Sequence, residues 1–476
     1  MKILFAASEI APFFRTGGLA EVAGSLPAAL SRLGADVSAV MPLYSDVGAE
    51  HRSRMKLVKE FTVRLAWRSQ YCGVLSLDQD GVTCYFIDNE YYFKRPFAYG
   101  QFDDAERFAF YSMAVLTMMA EIGYFPDVLH CNDWQTGLMP VYLKELFAGG
   151  EGYRDIRTVF TIHNVEYQGK YDKLLLGDVF SLPEKSMGAL EYAGALNLMK
   201  GGIAASDMVT TVSETYAREL MTHEYAHGLE GILRDNAAKL TGILNGIDGE
   251  SYNPATDEAL FVNYSADTCE LKPQNKERLQ RMLGLNVDES VPLIGLVSRL
   301  ADHKGIDLIT GAAEELLSGN VQLAVLGTGE WRYEQLFLSL MRKYPGKMSA
   351  QITFNNDMSR KIYAAGDLLL MPSRSEPCGL AQMIALRYGA LPVVREVGGL
   401  ADTIHSVSDD GSSGNGFSFK PYDRHEMLFT VRRALGFYGN AALWRTLVQR
   451  AMACDFSWKA SAGKYMAIYQ DITGRK

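Results

Sequence analysis

The sequence predicts an α/β protein made of two doubly wound, parallel-sheet domains. Three observations carry this. The chain has 476 residues, too many for one ordinary core. Short apolar runs alternate with helical patterns in two separate series, which is how parallel strands with crossover helices read. The most informative stretch, 371–394 (MPSRSEPCGLAQMIALRYGALPVV), runs from a strand end through a tight loop into a helix start. It leaves a carboxylate at the carboxyl end of a strand.

Taken in order, residues 2–8 form a short apolar run, as expected of a strand covered on both faces. Thr16-Gly17-Gly18 follows, residues 19–33 have helical spacing, and Gly34 is positioned to stop the helix. Residues 36–41 read as the next strand, completing a βαβ unit that opens on a glycine turn. Further strands are expected at 128–130, 158–163 and 208–212. The second series comprises 292–298, 322–326, 351–354, 367–371 and 391–394, with a helix from 380 to 387. Between the two series, 246–286 is rich in Asn, Asp, Pro and charge, which suits a domain junction. The string TGGLAE at 16–21 recurs as VGGLAD at 397–402, each at a turn before a helix, and this echo supports a duplicated plan.

Composition narrows the function. A hydrophobic content of 48% with 22% charged residues is that of a soluble globular protein. The net charge of −9 argues against nucleic acid or an anionic membrane as the main partner, but leaves room for a small anionic substrate held by local positive charge. Six scattered cysteines with no C-x-x-C pair fit reduced thiols, so a cytoplasmic location is expected. The opening MKILFAASEIAPFFRTGG is interrupted by Ser8 and Glu9 and lacks a small-residue cleavage site. It therefore reads as a buried strand and not as a signal peptide. No run approaches the about 18 apolar residues of a membrane span.

In open parallel sheets, ligands bind outside the carboxyl ends of the strands, and two such sheets facing each other leave a deep interdomain cleft. Arg299 ends a strand and Lys304 follows five residues later. Two cations there can neutralise a diphosphate as its bond to a sugar breaks. The bland alternative is a pair of solvated surface cations. Glu376 sits beside a turn whose free amide N–H groups favour an anion. That combination suits transfer of a group whose partner leaves as a phosphate ester, and its alternative is a solvated Glu at a helix start.

Several ordered strings carry a family resemblance: RTGGLAEV (15–22), HCNDWQTG (130–137), TIHNVEYQG (161–169), THEYAHGLEGIL (222–233), LNGID (244–248), SRLADHKG (298–305), PSRSEPCGL (372–380), GGLADT (398–403) and DFSW (455–458). Over nearly its whole length the chain resembles the bacterial glycogen synthase and plant starch synthase family. The resemblance implies the GT-B architecture of two Rossmann-like domains. Residues 1–245 would form the glucan-acceptor side with a glycine loop at 15–19. Residues 246–455 would form the nucleotide-sugar side, and 456–476 would pack back on the first domain. It implies catalytic roles for Glu376, His163, Asp133, Arg299 and Lys304. It implies donor contacts from Arg15, Gly17, Gly18, Asn164, Asn245, Arg299 and Lys304, and from the amides of Cys378, Gly379 and Leu380. No metal and no cofactor are implied. A structural role for His163, a helix-cap role for Asp133 and a turn role for Asn245 stand as alternatives. Two positions depart from the family pattern: Arg15 stands where it carries Lys, and Ala381 where it carries Thr.

The implied reaction transfers glucose from ADP-glucose to the non-reducing end of an α-1,4-glucan such as glycogen, with retention of configuration. UDP-glucose is the alternative donor, because nothing in these residues distinguishes the bases. No obvious second carboxylate supports double displacement, so front-face attack within an ion pair is expected. Domain closure is expected to hinge near 245–253 and DFSW. One string points elsewhere: His223-Glu224-Tyr225-Ala226-His227 matches the H-E-x-x-H zinc signature. Gly228 follows at once and no third ligand stands out, so a loop is expected there. The rival readings are a sugar-nucleotide epimerase of the same architecture, a zinc peptidase, and a glucan-binding protein without catalysis.

Overall fold

Apolar residues on both faces of short strands drive the chain into two parallel-sheet units in the computed structural model, which describes residues 1–475. One unit comprises Met1–Gly246 together with the chain from Trp458 onward; the other is Ile247–Ser457. The final position of the expected 456–476 segment, Lys476, lies outside the described residues.

The first unit holds a nine-stranded sheet in the order Leu240–Gly242, Met208–Thr211, Arg157–Ile162, Val128–Asn132, Lys2–Ala6, Asp36–Pro42, Val82–Asp88, Arg68–Gln79, Lys56–Leu65. The first seven strands run parallel. The last three are joined by antiparallel pairing. Their turn at Asp80-Gly81 has positive φ at both residues, +53° and +77°. Strand Lys2–Ala6 is the topological switch point: the chain moves to one side for Asp36–Pro42 and to the other for Val128–Asn132. Helix Gly18–Arg32 follows the first strand and packs on the last helix, Trp458–Thr473.

The second unit holds six parallel strands: Met348–Gln351, Gln322–Leu326, Leu293–Val297, Leu368–Met371, Leu391–Arg395, Phe417–Phe419. Numbered in chain order, they lie 3-2-1-4-5-6, the doubly wound arrangement with its switch between the first and fourth strands. Leu279, Leu285, Leu293, Ala324, Leu326, Ile362 and Ala365 form a core cluster in this unit.

One strand is displaced from expectation. In place of 351–354, the edge strand is Met348–Gln351. Its partner ends at Leu326 opposite Gln351, and the Gly327 amide then bonds Gln351 O, closing the ladder. Phe354, which made the later stretch look strand-like, is 75% exposed beyond it. No helix among the described residues is long and apolar enough to cross a membrane.

Candidate active site

In the second unit, the loops leaving Leu293–Val297 and Leu368–Met371 part at the switch point and bring the chemistry together. The amides of Arg374 and Ser375 both donate to His303 O, at 2.9 and 3.3 Å, stitching one loop to the other. Gly305 has φ +70°, and a Cβ there would lie 2.1 Å from Pro372 O, so only glycine lets the loops touch. Lys304 Nζ donates to Glu376 Oε1 at 2.8 Å and Oε2 at 2.7 Å, and the Ser373 hydroxyl donates to Oε2 at 3.0 Å. Glu376 is only 6% exposed. Arg299 leaves the same strand end as Lys304 but is exposed.

The carboxylate is held from behind by glycines. A Cβ on Gly398 would meet Glu376 O at 2.0 Å, and one on Gly399 would meet Cys378 O at 2.1 Å. The Gly399 amide donates to Glu376 O and Pro377 O at 3.2 and 3.1 Å. Gln382 Nε2 ties Cys378 O and Gly379 O, each at 3.0 Å, to the Thr403 hydroxyl at 3.2 Å. Gly379 makes the turn at φ +71°, and helix Ala381–Arg387 starts two residues later. Among the described residues, no backbone carbonyl takes the amide N–H of Gly379 or Leu380.

The first unit assembles two loops around Lys2–Ala6. The Thr16 amide and hydroxyl both donate to buried Glu9 Oε2, at 2.5 and 2.7 Å, which fixes the turn carrying Gly17 and Gly18. Burial raises the Glu9 carboxyl above its ordinary value despite those donors. A Cβ on Gly18 would meet nothing within 4 Å, and one on Gly17 only Glu9 Oε1 at 3.9 Å. The two glycine pairs of the sequence echo therefore differ. Gly17-Gly18 is open, whereas Gly398-Gly399 is packed on backbone. Arg15 is exposed and pairs with Glu21.

Asp133 follows strand Val128–Asn132 with φ +57° and ψ 177°, a strained conformation for a residue with a side chain and one that clusters at functional sites. The helix-cap alternative fails, because its carboxylate caps no helix. Instead Oδ1 accepts the amides of His163 at 2.8 Å and Asn164 at 3.4 Å. Burial pushes its carboxyl up to about 7, against those two amides. His163 is half-buried, and burial pushes its imidazole down to about 3, so the ring is neutral. Its Nε2 lies 2.9 Å from Asn132 Oδ1. Asn164 forms an Asx turn, its Oδ1 accepting the Glu166 amide at 3.0 Å. Asn245 joins neither cluster and sits in no turn; its buried Oδ1 has no hydrogen-bond partner among the described residues.

A family model described as the starch synthase catalytic domain matches residues 2–235, and one described as glycosyl transferases group 1 matches 280–435. A glycogen synthase from Geobacillus thermodenitrificans (strain NG80-2) is 49% identical over 474 residues, covering 99% of this chain and 98% of the relative. The chain belongs to the glycogen and starch synthase family. It is therefore a glycosyltransferase. The glycogen synthase of Clostridium novyi (strain NT) is equally similar, at 49% identity over 99% of both chains. Among solved structures, the catalytic domain of starch synthase IV from Arabidopsis thaliana, bound to ADP and acarbose, matches with a TM-score of 0.92. It is 33% identical and the match covers 100% of this chain and 99% of that one. A sucrose-phosphate synthase from Thermosynechococcus elongatus, 16% identical with a TM-score of 0.64 over 99% of both chains, shares the fold alone. The fold is that of two-domain GT-B glycosyltransferases.

Within this family setting, the H-E-x-x-H string is a turn-rich loop and not a helix. His223 Nδ1 contacts Glu230 at 3.0 Å, and His227 has φ +50°, so the two imidazoles do not share a helical face. Sequence reasoning missed five residues that support the site. Glu9 was visible as a carboxylate breaking an apolar run, and Asn132 as the residue before Asp133 in HCNDW. Ser373 lies inside PSRSEPCGL with no pattern to single it out. Gly398 and Gly399 were visible as an echo and inside the string GGLADT, with nothing to mark them as supports of a loop.

Proposed function

We propose that the protein transfers glucose from ADP-glucose to the non-reducing end of an α-1,4-glucan, with retention of anomeric configuration. The observation that carries the reading is the Lys304–Glu376 contact at the switch point of the second sheet, in a chain alike over its whole length to a starch synthase bound to ADP and acarbose. The second unit is the proposed donor side. Lys304, Arg299 and the amides of Cys378, Gly379 and Leu380 take the diphosphate, while Glu376 faces the sugar and offsets positive charge on its anomeric carbon. The first unit is the proposed acceptor side. His163 and Asp133 meet sugar hydroxyls, Gly17 and Gly18 let backbone approach the donor phosphates, and Arg15, Asn164 and Asn245 add donor contacts.

Retention is proposed through front-face attack within a short-lived ion pair, because among the described residues the side-chain contacts of Glu376 are to Lys304 and Ser373 and none is to a second carboxylate that the two-carboxylate scheme would need. No metal or cofactor enters the proposal. The cytoplasm is the proposed location, in keeping with six free cysteines.

The test incubates the protein with labelled ADP-glucose or UDP-glucose, with and without glycogen. Glucan-dependent release of ADP, with label entering an amylase-sensitive polymer, is expected. Release of free sugar or an altered sugar nucleotide without glucan would favour an epimerase, and binding of glycogen without turnover a silent glucan binder.

A further inference from the structure

We infer that Asn132 is a positioning residue that locks the ring of His163 as its Nε2–H tautomer, so that His163 offers a bare lone pair on Nδ1 and recognises a sugar hydroxyl only as a hydrogen-bond donor. This rests on the proposed function for the identity of the ligand, but not for the state of the ring.

The argument closes from backbone outward. Asn132 is fully buried at the end of strand Val128–Asn132, next to the switch-point strand. Its amide nitrogen faces two carbonyl oxygens, Ala6 O at 3.0 Å and His130 O at 3.5 Å. Carbonyls only accept, so that atom is the NH2 group and the other is Oδ1. Oδ1 faces His163 Nε2 at 2.9 Å. Two acceptors at that distance repel, so Nε2 carries the proton. His163 is neutral in this setting, so Nδ1 is left without one. Among the described residues Nδ1 has no hydrogen-bond partner, and His163 is not fully buried. The backbone from which the ring extends is held separately, the His163 amide donating to Asp133 Oδ1 at 2.8 Å. The element that reads the ligand is thus an acceptor fixed by an asparagine whose orientation two strands dictate.

The test begins with the wild-type protein, ring-labelled with nitrogen-15 on histidine and assigned by loss of one spin system in His163→Gln. At pH 7 the His163 Nε2 resonance is expected in the protonated range and Nδ1 in the unprotonated range. A proton on Nδ1, or a charged ring, overturns the inference. Asn132→Leu removes the acceptor at similar size. The ring is expected to become a mixture of tautomers, and kcat/KM to fall about tenfold, the value of one hydrogen bond to a neutral group. A pure Nε2–H ring with full turnover in that variant also overturns it. Should Asn132→Leu fail to fold, Asn132→Asp keeps an oxygen in the same place. The tautomer is then retained, but the added carboxylate favours the imidazolium, so the acid limb of the kcat/KM profile moves to higher pH. An unmoved profile refutes the contact. If wild type shows no glucan-dependent turnover, the proposed function fails, while the spectra still judge the ring.

Discussion

Replacing Gly399 by alanine puts a methyl group 2.1 Å from Cys378 O and 2.5 Å from Cys378 Cα. Real Cβ contacts essentially never fall under 3.0 Å, so the 376–378 loop has to withdraw by roughly 1 Å. The obstacle is main chain and cannot rotate aside. Overpacking of this kind costs about 1–3 kcal/mol. For a unit of roughly 200 residues, a cost of about 2 kcal/mol lowers the melting temperature by about 4–8 °C. The larger effect is on chemistry. Glu376 heads that loop and receives Lys304 at 2.7 and 2.8 Å, and a misplacement of about 1 Å at a reacting group costs about a hundredfold in rate. Glucan-dependent release of nucleoside diphosphate at saturating donor is the assay, with thermal unfolding alongside. Gly18→Ala is the control, since a Cβ there meets nothing within 4 Å. It should melt like wild type and raise the donor KM, with kcat little changed. A Gly399→Ala protein with wild-type kcat and wild-type melting would refute the claim that these glycines hold the catalytic loop.

Three further outcomes are expected. In a double-mutant cycle on unfolding of the ligand-free protein, Lys304→Ala and Glu376→Gln should show a coupling of about 2 kcal/mol, and both should lose turnover; zero coupling would deny the ion pair a structural role. The Asp133 carboxyl titrates at about 7 when folded but near 4 in an unfolded chain, so the folded protein keeps a proton that the unfolded chain gives up. Stability therefore falls as pH rises from about 4 to 7, and Asp133→Asn, which keeps the acceptor and tolerates positive φ, should be less sensitive to that rise when urea midpoints are compared. His130 and His163 act in the opposite sense: burial holds both near 3, while unfolded imidazoles bind protons below about 6.5. Acidification from about 6.5 toward 3 should cost stability, and urea midpoints of His163→Gln should fall less steeply than those of wild type.

What the sequence made legible follows from how parallel strands are buried. Strand Gln322–Leu326 lies where its apolar run puts it, because it is covered on both faces. The edge strand Met348–Gln351 is misjudged from sequence because only its pairing with Gln322–Leu326 decides where it ends. The antiparallel stretch Lys56–Leu65, Arg68–Gln79, Val82–Asp88 went unread, since the first of these strands is mostly exposed and the second keeps no regular alternation of buried and exposed residues. Asp80-Gly81 was a usable signal, as this dipeptide favours a hairpin turn with positive φ. Among site residues, Lys304 and Glu376 come together because both leave strand ends at one switch point, a direct contact that the sequence reading did not expect. The amide grip of Asp133 on His163 and Asn164 was hidden, because it spans about 30 residues and two strands. So was the glycine wedge at 398–399, whose role is set by loop-to-loop distance and not by any local pattern.

A buried ion pair seldom stabilises a fold more than an apolar pair of the same size, yet the second unit devotes several constraints to one. Gly305 admits Pro372, Gly398 and Gly399 admit the carbonyls of Glu376 and Cys378, and Ser373 supplies a hydroxyl. Held against each other, the two groups are already placed, so neither needs much solvent reorganisation when substrate arrives. On the proposed reading, the donor's diphosphate then draws the Lys304 ammonium toward itself. Glu376 keeps only the Ser373 hydroxyl, and its unshared charge faces the sugar carbon that turns positive. On that reading the ion pair is a resting state whose opening frees two charges for bond cleavage. A crystal soaked with ADP-glucose in which Lys304 still donates to both Glu376 oxygens would contradict that order of events.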